Sequence, residues 1–297
     1  MFIETYVENW EDAKNVGRMI PEAVFRGQSN AGWPLASTIE RAATRNLLPP
    51  RFIKGREDWL IRQFQRRAHH FISDPPLFEF LMDWLALLQH HGGPTRLLDF
   101  THSFYVAAFF ALEHAVSDAA IWCIDVFELQ GKCQSICGTN SLYERIDEIN
   151  DRHITTVNEY ISGKKPENLV IDVEPFRLSD RVSIQQGLFL FPCNLETTFE
   201  KNLCVTFGLS SSGLSPTVVI QKKPNEILNT ESDIEPVMIK IILPHKIHAE
   251  ALWELHNMNI NSYTLFPGLD GYARSLSIYM KPPSGEGFTD PIINLFK

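Results

Sequence analysis

One stretch constrains this chain more than any other: His90-His91-Gly92-Gly93-Pro94-Thr95-Arg96-Leu97-Leu98-Asp99-Phe100-Thr101-His102-Ser103. It lies between two apolar runs, Trp84-Leu85-Ala86-Leu87-Leu88 and Tyr105-Val106-Ala107-Ala108-Phe109-Phe110-Ala111. Flanks of this kind place the segment in or against a core. Arg, Asp, Thr and His side chains held there cost several kcal/mol each (about 2–7 for an unpaired polar group) unless they are hydrogen-bonded. The cluster is therefore either an internal polar network or the wall of a site.

The rest of the chain supplies the scaffold. With 297 residues, 44% of them hydrophobic and 21% charged, it is globular and large enough for a substantial core. Asp58 to Ile72 carries Trp59, Leu60, Phe64, Ala68 and Phe71 at helical spacing, and Asp74-Pro75-Pro76 ends that run. Phe78 to His91 predicts a second helix closed by Gly92-Gly93-Pro94, and Ser103 to Ala115 a third, apolar all round and hence central. Ser37 and Thr38 are candidate caps for a shorter helix to Asn46, with Arg41 and Arg45 one turn apart. Ala23 to Gly27 reads as a short strand. Ala119 to Val126 reads as a buried strand, and further strand signals lie at 168–174, 183–191, 218–221 and 236–242. Ser210 to Gly213 reads as a flexible connection, and Lys246 to Met258 as a late helix. Helices first and strands mostly later give an α+β fold, its helical N-terminal part packed on a mostly antiparallel sheet. With no repeat and no separating linker, residues 1–297 are expected to form a single domain. A helical and loop insertion is expected at about 129–166.

Charge narrows the partners. A net charge of −9 disfavours duplex DNA, although Arg62, Arg66 and Arg67 could form a local basic patch on their helix. The five cysteines follow no zinc pattern; Cys133 and Cys137 could meet on a helix, but no metal is expected. No secretory leader and no membrane-spanning run is visible, so a reducing, cytoplasmic setting without membrane attachment is expected.

Five groups of residues are candidates for chemistry. Arg26 and Gly27, with Gln28 following, pair a fork of donors suited to phosphate or ribose with a glycine that admits close approach; on these residues alone, a salt bridge at a turn explains them better. Arg96 and Asp99 could bind a ligand or pair with each other. Thr101 and Ser103 would share a face with Asp99 if extended, and either could cap the next helix. His90 and His91 could act in a site or sit on a helix dipole. Gln185 and Gln186, read as strand residues before Gly187, face different sides; one turned inward would need partners and could bind a ligand amide or hydroxyl, whereas an edge-strand pair would face water. No P-loop, dinucleotide fingerprint or nucleophile elbow is present.

Phe25-Arg26-Gly27-Gln28, the His90–Thr101 block, Ser103 with Ala107 and Phe109-Phe110-Ala111, then Gln185–Phe189 and Leu265–Gly271 together resemble the FRG domain, named for its Phe/Tyr-Arg-Gly motif. The resemblance runs from about Gly17 to Leu276. Phe100 and Gly93 depart from it, at positions where a Trp and another residue are more usual. More distantly, Arg26-Gly27 and Thr101-His102-Ser103 resemble two of the three signatures of arginine-class ADP-ribosyltransferases, whose split sheet the fold would share. The third is usually Glu; here Gln186 holds the matching place, with Glu196 and Glu200 as alternatives. That resemblance implies NAD as substrate, bound by Arg26, Gly27, Gln28, Arg96, Asp99 and His91, with Arg26, Thr101, Ser103 and Gln186 as catalytic residues. A glutamine is no base, so Asp99 or His91 would have to activate the acceptor. The implied role is a toxin or antiviral defence effector that modifies a macromolecule, protein or RNA, and is restrained by an antitoxin-type inhibitor. A noncatalytic nucleotide sensor and a protein-interaction module remain the competing readings.

Overall fold

The computed structural model describes residues 2–137, 146–175, 180–209, 219–221, 223–224, 227 and 236–281. An eight-stranded open sheet organises them, in the order β5-β6-β3-β2-β4-β8-β1-β7. In chain order the strands are β1 (Phe2–Tyr6), β2 (Ala23–Gln28), β3 (Leu98–Thr101), β4 (Ala119–Asp125), β5 (Val170–Val173), β6 (Gly187–Pro192), β7 (Val219–Gln221) and β8 (Met238–Leu243). Neighbours from β5 through to β8 run antiparallel; β1 pairs parallel with both β8 and β7. The fold is α+β as expected, with a mixed sheet.

The helices that matter for the site are α1 (Trp10–Gly17), α2 (Thr38–Arg45), α3 (Ile53–Ala68), α4 (Leu81–His90) and α5 (Phe104–Leu112). Local chemistry sets their ends. Ser37 caps α2 by accepting from the Glu40 amide, and Ser103 caps α5 by accepting from the Val106 amide. Gly92, at φ 80°, takes the left-handed conformation that stops α4. On α3 the buried positions Ile53, Glu57, Ile61 and Ala68 share one face, leaving Arg56, Trp59, Arg62 and Arg66 outside.

Apolar layers hold the elements together. Helices α1 and α5 cover one face of the sheet centre through Trp10, Ala13, Phe104, Ala107 and Ala108 against Phe25, Ile121, Cys123 and Ile239. The opposite face carries Val24, Leu98, Phe100, Trp122 and Ile124. At the far edge α3, α4 and α7 (Ile146–Ser162) pack on β5 and β6 through Ile61, Trp84, Leu85, Val157, Ile171 and Phe191. Strand β4 belongs to both central layers, so its residues from Ala119 to Ile124 are all buried, and its sequence shows no alternation.

Several expectations need correction. The segment 183–191 is not one strand: α8 (Asp180–Ile184) comes first, Gln185 and Gln186 form the turn, and only then does β6 begin. Gln186 has φ 49°, a left-handed turn conformation that no strand residue adopts. Strands also do not wait for the second half of the chain, because β1, β2 and β3 all precede residue 102. The expected insertion contains α6 (Val126–Cys137) and α7. After β6 come α9 (Phe199–Thr206) and the expected late helix, α10 (His248–Asn257). The connection expected at 210–213 lies outside the described residues.

Candidate functional site

The sheet is nearly divided at one place. Strands β2 and β3 are joined by a single register pair, Phe25 with Thr101, whereas β2 pairs with β4 over six positions. Beyond that point the two strands part, and the Arg26 side chain fills the opening. Its Nη1 donates to the Asp99 carbonyl oxygen at 2.7 Å and stands 3.8 Å from the Asp99 carboxylate. Its Nε is buried without a hydrogen-bond partner. A guanidinium in a recess with an idle donor is costly unless something else fills the place. Burial pulls the Arg26 pKa below its ordinary value and Arg41 adds to that, while Asp99 opposes it.

A cleft of about 1060 Å³ opens in front of Arg26. Arg41 and Arg45 from α2, Arg181 from α8, and His90 and His91 from the end of α4 reach it; Asp74, Asp83 and Asp99 supply its negative charge. Four arginines against three aspartates leave an excess of positive charge inside a chain whose total is −9. Trp33, exposed, and Phe110 offer flat apolar surface beside these charges. Size, convergent donors and aromatic walls together are the attributes of a site for an organic anion.

Its parts are anchored from behind. The Asp99 carboxylate accepts from Gln89 Nε2 at 2.7 Å, and Gln89 in turn accepts from the Thr95 hydroxyl. The Arg181 guanidinium lies 4.3 Å from the Phe266 ring centroid, and Arg274 lies 4.4 Å from the same ring while bonded to Glu113. Phe266 belongs to the segment between α11 (Ser262–Leu265) and α12 (Leu269–Ser275). Partial burial lowers the pKa of Arg181, against the pull of Asp99. Burial, then His91 and Arg181, lower that of His90.

The candidates from the sequence divide sharply. Arg26, Gly27, Gln28, His91, Asp99 and Thr101 line the cleft. Gly27 does so for a reason the sequence hides: a Cβ there would collide with the Ala107 carbonyl and the Ala111 amide of α5. Its freedom serves the helix before any ligand. Gln28 donates to the Pro34 carbonyl and accepts from Trp122 Nε1, tying the Trp33 loop to the sheet. Thr101 donates to the Gln185 carbonyl at 2.7 Å and accepts from the Ser103 amide at 3.0 Å, which fixes the turn beside the opening. Ser103 itself is the α5 cap and is not among the residues that line the cleft.

Two residues sit elsewhere. Arg96 does not pair with Asp99; it is fully buried, its Nε and Nη2 hold both Glu57 carboxylate oxygens, and its Nη1 donates to the Pro192 carbonyl. Phe191 stacks 4.7 Å beneath it. Gln186 is absent from the cleft lining, its carbonyl accepting from the His102 amide, while Gln185 lines the cleft and donates to the Leu265 carbonyl. Glu200 accepts from the Leu35 amide beside a smaller neighbouring cavity, and Glu196 is exposed in a turn. Arg41, Arg45, Arg181 and Trp33 are site residues that sequence reasoning does not single out. The four-residue spacing of Arg41 and Arg45 is a usable signal, since it puts both on one helix face.

Among the described residues no group of His, Cys, Asp or Glu is arranged to hold a metal ion, and no helix is long and apolar enough to cross a membrane. Cys123 and Cys133 are buried, and burial pushes the Cys123 thiol well up. Residues 21–119, from just before β2 to the first residue of β4, match the family model of the FRG domain. No curated protein and no solved structure matches the chain.

Proposed function

We propose that this FRG-domain chain binds NAD in the cleft at the opening of its sheet and transfers the ADP-ribose group to a macromolecular acceptor. The observation that carries the reading is Arg26: a recessed guanidinium with one donor unused, at the junction of β2 and β3, facing a cleft that three further arginines enter. A pyrophosphate supplies the acceptor oxygens and negative charge that such a cluster lacks. Trp33 offers the face on which a base can stack.

The chemistry follows from what stands at the opening. The bond between the ribose C1′ and the nicotinamide nitrogen breaks, and its electron pair leaves with nicotinamide. Positive charge spreads over the ribose ring as it does in glycosyl transfer. Asp99, held by Gln89 and Arg26, is the carboxylate at the opening that stabilises this charge. The acceptor oxygen or nitrogen bonds to C1′ and passes its proton to Asp99, which releases it to water. Thr101 holds the turn that flanks the ribose, and Gln185 rather than Gln186 supplies the amide.

The test is transfer of label from NAD to separate pools of protein and RNA. Label in one pool with the wild-type chain, loss of it with Arg26→Ala, and slow transfer with normal NAD affinity for Asp99→Asn are expected. A second reading, a nucleotide sensor without catalysis, draws on the fact that Asp99 is already engaged by Gln89 and Arg26. NAD binding without transfer or nicotinamide release would select it. No NAD binding at all would overturn both and leave an interaction module.

A further inference from the structure

The face of α3 turned away from the core carries a charge opposite to that of the chain. Helix α3 carries Lys54, Arg56, Arg62, Arg66 and Arg67 against Glu57 and Asp58, a net charge of +3 in a chain of −9. Both acids are already engaged: Glu57 is buried on Arg96, and Asp58 is bonded to Lys54. Arg56, Arg62 and Arg66 are exposed and make no ion pair among the described residues. The surplus charge on this face therefore meets solvent uncompensated.

Aromatic rings are set among these arginines. Trp59, 56% exposed, lies one turn from Arg56 and one turn from Arg62 and Gln63 on the same face of α3. Phe52 at one end of the helix is 49% exposed, and Phe71 just past the other end is 84% exposed. Guanidinium groups track phosphates, whereas exposed flat rings offer stacking surfaces to bases that are not paired. Arginine alone would suit any acidic partner; arginine alternating with exposed rings suits an unpaired strand. Just past the end of the helix, exposed His69 and His70 carry ring nitrogens that can meet ribose hydroxyls.

This face leads to the cleft. Helix α2 packs on α3 through Ile39, Ala43, Ile53 and Leu60, and its Arg41 and Arg45 line the cleft. Ile72 and Asp74, a few residues beyond α3, line it too. We propose that the exposed face of α3 is a docking surface for single-stranded RNA, placed so that a bound strand reaches the cleft mouth. Naming that strand as the acceptor rests on the transferase reading above; the docking itself does not.

The experiment is binding of a fluorescent, unstructured RNA oligonucleotide to the full chain, titrated at several salt concentrations. Wild type is expected to bind with an affinity that falls as salt rises. Arg62→Gln with Arg66→Gln should lower the slope of log affinity against log salt by about 0.7 for each phosphate the protein no longer neutralises. Trp59→Ala should weaken binding by at least about fivefold with little change in that slope. All three positions are exposed, so unchanged thermal melts are expected and are measured alongside. No RNA binding, equal binding by the variants, or equal binding of duplex RNA, of a DNA strand of the same sequence or of polyglutamate would each overturn the proposal. Calorimetric NAD titration of the same samples separates the two readings. RNA binding absent with NAD binding intact condemns only the docking surface, and the reverse condemns only the cleft reading.

Discussion

Arg96 and Arg26 lie on either side of strand β3, and their surroundings differ in what is left over. Arg96 has every nitrogen engaged, by both oxygens of Glu57 and by the Pro192 carbonyl, with Phe191 against its plane and almost no exposure to solvent. Arg26 has one carbonyl, a distant carboxylate and an idle Nε, and it faces open volume. The same side chain is a structural clamp in the first setting and keeps an unused donor beside a cleft in the second. Neither residue type nor neighbouring motif separates them; the number of satisfied donors does.

The contrast is sharpest if the clamp is opened. Glu57→Ala leaves the Arg96 guanidinium buried and unpaired, which should cost about 3–5 kcal/mol of stability. Chemical denaturation should show that loss, and the fraction still folded should bind NAD with unchanged affinity. A smaller effect is expected where α5 packs beside Arg26. Gly27→Ala drives a methyl into the Ala107 carbonyl and should destabilise by about 1–3 kcal/mol as α5 is pushed from β2. A drop in melting temperature checks it, and an unchanged melt would mean that α5 is not seated as described. The smallest effect belongs to the far wall of the cleft. Phe266→Ala frees Arg181 from its ring and should weaken NAD binding by about 0.5–2 kcal/mol; because the ring also packs edge-on against Phe110, some stability is lost with it, and the melt is measured alongside.

Much of this is legible in the sequence. The helices α2, α4 and α5 follow from caps, apolar spacing and the glycine stop, and the buried strand β4 from its unbroken apolar run. Arg26 and Asp99 stand out as site candidates from their motifs, and they meet across the opening. Arg96 escapes a local reading because its partner, Glu57, is thirty-nine residues away on α3, and no local pattern marks a carboxylate as buried. Gln186 reads as a strand residue because the apolar run Leu188 to Phe191 invites extension back to Ile184, whereas the short helix α8 and a left-handed turn take up that first part. Gly27 has a reason that only packing reveals. Arg181 gains its place from Phe266, eighty-five positions further along, and such pairings leave no trace in spacing.

Under the proposed function, an anionic dinucleotide supplies the partner that Arg26 Nε lacks, and calorimetric titration of NAD into the wild-type chain and Arg26→Ala reads that contact out. Saturable binding by wild type, weakened by about 1.5–3 kcal/mol in the variant, is predicted from the loss of charge-assisted hydrogen bonds. Equal affinity in the two proteins, or no heat of binding in either, would contradict it.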